Sequence, residues 1–256
     1  MPDKNEIAFR HHTSLFEPGM VAALHCHNHF EILYVISGEL AHVVEGRRYL
    51  LRAGSLVLVQ PSTYHYLQAL TDEPYERYHL LFDPQLHGIP TDRLPKDLEV
   101  ADISENSQLT GLFAKMDLYA RADEESFQQL LRLLLCELFM NLTLFPPGQK
   151  EKEAVQSPIL NRALSYINAH LFTVQSVEEV AQALFISSSY LYALFRESLH
   201  QTPQKYIRVK RLLAAQRRIR AGEKPTAVAR ECGFREYATF YRNYTTFFGH
   251  SPSMER

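Results

Sequence analysis

The chain contains no tryptophan and only three cysteines in 256 residues. The missing tryptophan excludes nothing about function. Cys26, Cys136 and Cys232 are scattered and odd in number, which argues against a disulfide framework and for a reducing cytosol. No hydrophobic run reaches transmembrane length; the longest, Leu130 to Leu144, is interrupted by Arg132, Glu137 and Asn141. The opening Met-Pro-Asp-Lys-Asn-Glu lacks the apolar core of a signal peptide. These absences predict a cytoplasmic protein with no membrane partner. A hydrophobic content of 46% and a charged content of 22% are globular values, and 256 residues exceed the usual size of one domain.

Basic charge is scarce in the front of the chain. Residues 1–157 hold 13 Lys and Arg against 22 Asp and Glu, whereas residues 158–256 hold 14 against 7. The formal net charge of −2 therefore hides an acidic front and a basic back. Basic charge gathered in one region is the footprint expected for contacts to nucleic-acid phosphates.

The basic region holds one pattern twice. At an offset of 49, Leu191 pairs with Phe240, Phe195 with Tyr244, Leu199 with Phe248, Thr202 with Ser251 and Pro203 with Pro252. Such a repeat means two similar supersecondary units. Two helix-turn-helix units on one chain can read successive major grooves of double-stranded promoter DNA.

Pro146-Pro147-Gly148, followed by polar residues, predicts a linker over 146–157. Ahead of it, Gln108–Tyr119 and Ser126–Leu144 repeat apolar residues at three and four, so a helical segment is expected over 104–145. Its wide apolar stripe suits packing on the first domain, a homodimer interface, or both. Residues 1–103 read as β. Short runs rich in Val, Ile, Leu and Tyr between Leu24 and Tyr66 are separated by turn signals at Ser37-Gly38-Glu39, Glu45-Gly46-Arg47 and Arg52-Ala53-Gly54-Ser55, and Tyr75–Phe82 looks like a further strand. The fold class is thus α+β: an N-terminal β-sandwich or barrel, then an all-α domain over 158–256.

A polar cluster interrupts the β region. If His25-Cys26-His27-Asn28-His29-Phe30-Glu31 is a strand, His25, His27, His29 and Glu31 share one face. With His65 from a neighbouring strand, two imidazoles and a carboxylate can bind a divalent transition metal. The same residues can instead line an effector pocket with no metal. Tyr34, Tyr64, Tyr66 and Tyr78 suit either stacking on a sugar at the pocket mouth or core packing.

Residues 19–38 resemble the first cupin motif through Gly19, His25, His27, Glu31 and Gly38, and Gly54 to His65 resembles the second. Pro61, Thr63 and Ala69 depart from it, while His25, His27, Glu31 and His65 remain. The resemblance implies that these four can be metal ligands and that the domain is cupin-like; His29 falls outside the motif. Residues 158–256 resemble the DNA-binding domain of AraC/XylS transcription regulators. The first unit has Ser176 to Leu184, the turn Phe185-Ile186-Ser187 and a recognition helix from Ser187 to Leu199; the second has Pro225 to Phe234 with its Gly233-Phe234 turn, then Tyr237 to Phe247. Ser176 and Glu179 read as a capping box. Thr202 to Ala215 resembles the long helix joining the units.

That resemblance implies base contacts from Ser189, Tyr192 and Ala193 in the first recognition helix and from Ala238, Thr239 and Arg242 in the second. Arg196, Lys205, Arg208, Arg217, Arg218, Arg235 and His250 are phosphate candidates. It further implies a small-molecule effector, commonly a sugar or related metabolite; His25, His27, His29, Glu31, Tyr34 and His65 are the residues expected to hold it. The expected protein is a transcriptional activator working with RNA polymerase, and not an enzyme. Two other readings stay open: a metal-responsive regulator, and a cupin metalloenzyme fused to a DNA-binding module.

Overall fold

The computed structural model describes residues 6–22, 24–95, 98–148 and 157–255. The chain divides into two compact units, Met1–Ala154 and Val155–Arg256. The linker expected over 146–157 falls mainly on residues outside the described set; Pro146, Pro147 and Gly148 have no regular secondary structure.

Two antiparallel sheets build the first unit. The strands are β1 (Ala8–Ser14), β2 (Phe30–Ser37), β3 (Leu40–Val44), β4 (Arg47–Leu51), β5 (Ser55–Val59), β6 (His65–Ala69), β7 (Tyr75–Phe82) and β8 (Val100–Asp102). The larger sheet has the order β1-β7-β2-β5-β8 and the smaller β4-β3-β6. The expected turns fall where the glycines stand. Glu45 and Gly46, with φ of 43° and 80°, close the two-residue hairpin between β3 and β4. Gly38 follows β2 with φ of 91°, and a Cβ there would sit 3.0 Å from the Pro74 carbonyl oxygen.

Alternation along β2 and β7 divides the interior. Phe30, Ile32 and Tyr34 join Tyr78, Leu80 and Phe82 on one face. Against that face pack α2 (Ser107–Tyr119) and α3 (Glu124–Leu144), through Leu109, Leu112, Phe113, Met116, Leu131, Leu135, Leu138, Phe139 and Leu142. The helical segment is therefore part of the first unit's core, and each fully buried side chain of this size stabilises it by about 1.5–3 kcal/mol. The short α1 (Pro84–His87) precedes them. Leu33, Val35, Val57 and Val59 face the other way, toward Leu40, Val44, Tyr49 and Leu51 of the smaller sheet.

β1 was not anticipated from sequence. It pairs with β7 from Ala8↔Leu81 to Ser14↔Tyr75. Phe9 packs on Tyr78 and Phe127, but polar side chains follow on both faces: His11 reaches Asp117 of α2, while His12 pairs with Arg77. A strand with one large apolar residue lacks the usual alternating signal.

Among the described residues the second unit holds six α-helices, α4 (Pro158–Ala169), α5 (Val177–Ala183), α6 (Ser188–Leu199), α7 (Pro203–Arg220), α8 (Pro225–Glu231) and α9 (Tyr237–Phe248), and a closing 3-10 turn at Pro252–Glu255. α5–α6 and α8–α9 are the two helix-turn-helix units, joined by α7. Val180, Ala181, Leu184, Leu191, Leu194 and Phe195 are buried in the first; Val228, Ala229, Phe234, Phe240 and Tyr244 are buried in the second, with Phe248 partly so. Arg211 of α7 ties them together, donating to the backbone oxygens of Leu171 at 2.7 Å, Val174 at 2.6 Å and Gly233 at 2.9 Å. Gly233, at φ of 83°, leaves room for it: a Cβ would lie 2.6 Å from the Phe172 carbonyl oxygen and 2.8 Å from the guanidinium carbon. Among the described residues no helix is long and apolar enough to cross a membrane.

Candidate functional site

The histidine cluster forms at a corner, not along a strand. β2 begins only at Phe30, so the expected single strand over His25–Glu31 is corrected. His25 makes an isolated antiparallel bridge with His65, its backbone N–H reaching the His65 carbonyl at 3.2 Å. The chain then crosses from the smaller sheet to the larger. Ser62 holds that crossing, donating its N–H to the His27 carbonyl at 2.7 Å and its hydroxyl to Asn28 Oδ1 at 2.9 Å. The corner carries His25 and His27 toward Glu31 on β2 and His65 on β6. One ligand atom from each of these four lies within 4.8 Å of the others. His29 does not join the group. Its ring sits 5.9 Å from that of His27, to which it offers only its backbone oxygen.

The hydrogen bonds around Glu31 suit a cation. Glu31 Oε2 lies 2.9 Å from His27 Nε2 and 3.0 Å from His65 Nε2. The opposite nitrogens already contact carbonyl oxygens, His27 Nδ1 with His29 at 3.1 Å and His65 Nδ1 with Thr63 at 2.9 Å. A carbonyl only accepts, so each Nδ1 carries the proton. A neutral imidazole then turns a bare Nε2 toward the carboxylate. A metal ion there would take the place of protons between the two Nε2 atoms and the carboxylate. Nδ1–H donated to a backbone carbonyl is the usual outer support of a metal-bound histidine. Donors about 2.0–2.2 Å from an ion lie at most roughly 4.4 Å apart, so the four need to close by only a few tenths of an ångström. Burial alone would raise the Glu31 carboxyl, but the hydrogen bonds of His27 and His65 with nearby His79 hold it well below its ordinary value. His42 on β3 is fully buried 5.8 Å from the His65 ring; burial pushes its pKa down to about 3 and keeps it neutral.

Tyr34 does not share the face of the histidine cluster. It stacks on Phe113 of α2 at 4.5 Å on the helix-facing side of β2, opposite to Glu31. Tyr78 lies on that side too, its hydroxyl bonded to Asp117. A one-residue step along a strand reverses the face. Glu31's face is instead continued on β7 by His79, whose Nε2 lies 3.1 Å from Glu31 Oε1, and by Arg77 and Tyr75. Sequence reasoning missed these three, although the alternation in Tyr75–Phe82 already separates them from Tyr78, Leu80 and Phe82. His25 is exposed, and His27, His79 and Arg77 are half-buried, so solvent reaches this polar interior.

In the second unit the reading faces are largely open. Ser189, Ala193 and Arg196 on α6 are exposed, as are Ala238 and Arg242 on α9. Tyr192 is half-buried, and its hydroxyl accepts a hydrogen bond from Gln204 of α7. Thr239 is half-buried beside Glu236. The repeat offset maps Tyr192 onto Tyr241, not onto Thr239, and Tyr241 is 43% exposed. Tyr241 thus stands on α9 at the position that Tyr192 holds on α6. Arg235 is exposed, with its guanidinium 2.9 Å from Gln175 Oε1. Gln175, Gln204, Arg208, Thr239 and Asn243, with Val174, Ile207 and Phe234, line a groove of about 280 Å³ in this unit. Of the phosphate candidates, Arg218 is engaged by Glu223 and Glu231, and His250 by Glu255 at 3.2 Å. Those pairs compete with a phosphate.

Residues 17–138 match the AraC-like ligand binding domain, and residues 180–256 match a helix-turn-helix domain. The regulatory protein SoxS of Salmonella typhimurium is 32% identical over 99 residues, covering 38% of this chain and 92% of SoxS. The probable transcriptional regulator LumQ of Photobacterium leiognathi is 32% identical over 148 residues, covering 57% of each chain, so this chain spans little more than half of LumQ's length. RafR of Pediococcus pentosaceus, a raffinose operon transcriptional regulatory protein, is 24% identical over 228 residues, covering 80% of this chain and 76% of RafR.

Proposed function

The chain belongs to the AraC type of transcriptional regulators, and from that premise we propose that it is an effector-controlled activator and not an enzyme, taking a sugar or related metabolite into the polar interior of its first unit. The observation that carries this reading is that interior itself: His25, His27, Glu31, His65 and His79 gather on the inner face of a sandwich otherwise packed with Leu, Val and Tyr. The similarity to RafR, named for a raffinose operon, supports a sugar. Promoter DNA is read by α6 and α9. A shift between two arrangements follows only if the effector binds them unequally. Leu133, Met140, Leu144 and Phe145 lie exposed on α3 and just beyond it, which suits a homodimer contact. RNA polymerase is the partner that activation requires, and the cytoplasm is where it meets DNA.

His25, His27, Glu31 and His65 would hold a divalent transition ion, because two doubly engaged imidazoles share one carboxylate oxygen. Such an ion supplies a Lewis acid for effector oxygens. If the ion is itself the signal, the protein is a metal-responsive regulator. Elemental analysis of untagged protein separates the cases. One equivalent of metal, lost in a His25→Ala/His27→Ala variant, supports the ion; its absence leaves an organic effector held by hydrogen bonds alone. The regulator reading is tested by selecting duplexes from a random pool with the full chain. Two sequence blocks about 10 base pairs apart are expected, and failure to enrich any sequence would reject it.

A further inference from the structure

The inner face of β1 and β7 holds a cation that, among the described residues, has no carboxylate in ion-pair contact; Glu31 acts on it only from a distance. Arg77 follows Tyr75 and precedes His79 on the inward side of β7, and across the β1–β7 pairing it faces His12. It is half-buried. Its guanidinium carbon lies 4.4 Å from the centre of the Tyr75 ring, and its Nη1 donates to Ser14 Oγ at 3.1 Å. A guanidinium has five N–H donors. Among the described residues no carboxylate forms an ion pair with Arg77. Glu31, on the same face, is already engaged at one oxygen by His27 and His65, and His79 Nε2 lies 3.1 Å from the other.

Two further polar atoms at this place are stranded. His12 Nδ1 is buried with no hydrogen-bond partner, and so is the hydroxyl of Tyr75, a residue only 2% exposed. Burying a polar group unpaired is unfavourable, and burying an unpaired charge more so. Three such groups on adjacent strands, at the rim of an interior that solvent reaches, are what an anion-binding site looks like without its anion. A neutral sugar would leave the charge of Arg77 uncompensated.

We infer that Arg77, with His12 and Tyr75, binds the anionic group of the effector, so that the effector is a small metabolite carrying a carboxylate or a phosphate. This rests on the reading that the first unit binds the effector. It narrows that class to acids or phosphate esters. The anionic group sits at Arg77, and the polar remainder of the metabolite extends toward His79 and Glu31.

The test uses simple anions as probes of the subsite. Thermal unfolding of the full chain is followed in potassium chloride, acetate and phosphate at equal ionic strength and pH. The expected result is a transition several degrees higher in acetate or in phosphate than in chloride. Acetate alone acting would indicate a carboxylate, phosphate alone a phosphate ester. Arg77→Gln should abolish the response and Arg77→Lys should keep part of it. In chloride, Arg77→Gln should be at least as stable as the parent, because it removes a half-buried charge that has no paired carboxylate. Equal transitions in all three salts, an unchanged anion response in Arg77→Gln, or a large loss of stability in Arg77→Gln under chloride would overturn the assignment. The last outcome would make Arg77 a packing residue held by Tyr75 and Ser14. None of these results touches duplex selection, which judges the regulator reading separately.

Discussion

The two helix-turn-helix units share a pattern but not the means of holding it. In the first, side chains close the helix starts: Ser176 accepts from the Glu179 N–H at 3.2 Å and Ser187 from the Tyr190 N–H at 3.2 Å. In the second, neither Lys224 before α8 nor Glu236 before α9 supplies a capping hydrogen bond. That unit relies instead on a buried polar knot. Glu255, from the closing turn after α9, accepts from Gln216 at 2.6 Å, Arg220 at 2.8 Å and the Tyr244 hydroxyl at 2.9 Å. The counterpart of Tyr244 in the first unit is Phe195, buried without a hydroxyl. The reading faces differ too, with Ala193 standing where the other copy has Arg242. One backbone arrangement is stabilised locally in one copy and through distant contacts in the other.

The contrast can be broken most strongly at Glu255. Its side chain is fully buried, so Glu255→Ala strands Arg220 and the Tyr244 hydroxyl; a loss of about 3 kcal/mol or more is expected in thermal or urea unfolding. Next in size is the reading face. Arg242→Ala should weaken binding to the selected duplex by about 1–3 kcal/mol and relax preference at one base position, if Arg242 contacts guanine. Arg196→Ala should lower binding to all sequences alike and reduce the salt slope by about one. Equal, sequence-independent losses for both would make Arg242 a phosphate contact. Ser187→Ala should cost about 1 kcal/mol of stability, while Glu236→Ser, which gives α9 the cap it lacks, should stabilise by up to about that much. A Ser187→Ala variant as stable as the parent would show that tertiary packing alone holds α6.

The smallest effect is a pH dependence. Burial would raise the Glu255 carboxyl, but hydrogen bonds from Gln216 and Arg220, with the Arg220 charge, hold it below its ordinary value of 4.5. A carboxylate depressed in the folded state contributes stability that is complete above its unfolded value. That contribution disappears as pH falls from about 4.5 through the lowered folded value. The second unit should therefore lose stability on acidification, and Glu255→Gln should flatten the curve. Identical acid curves for parent and variant would assign the loss to other groups.

Much of this was readable in the residues. Turn glycines at 38 and 46 marked the hairpins, and period-three-and-four runs marked α2 and α3. Tyr34 was misplaced because an aromatic beside a polar motif reads equally as pocket or core, and only the β2 register against β7 decides which. His29 was grouped with His25 and His27 because spacing by two implies one face only if the backbone is extended throughout. The corner held by Ser62 breaks that condition. The capping box is half formed: Ser176 caps α5, but the Glu179 carboxylate accepts from the Gln175 N–H at 2.8 Å.

By itself the sequence determined the class of each unit, the repeat and the set of four metal-type donors. These depend on local periodicity, turn chemistry and residue type, which are written along the chain. Only the tertiary structure decided which polar groups share the interior. Arg77 and His12 are 65 positions apart in number, and strand pairing brings them face to face. It also showed that, among the described residues, no carboxylate pairs with Arg77, while one oxygen of Glu31 is shared by His27 and His65. Whether a charge is compensated depends on which partners long-range pairing places within a few ångströms, and no local pattern encodes that distance.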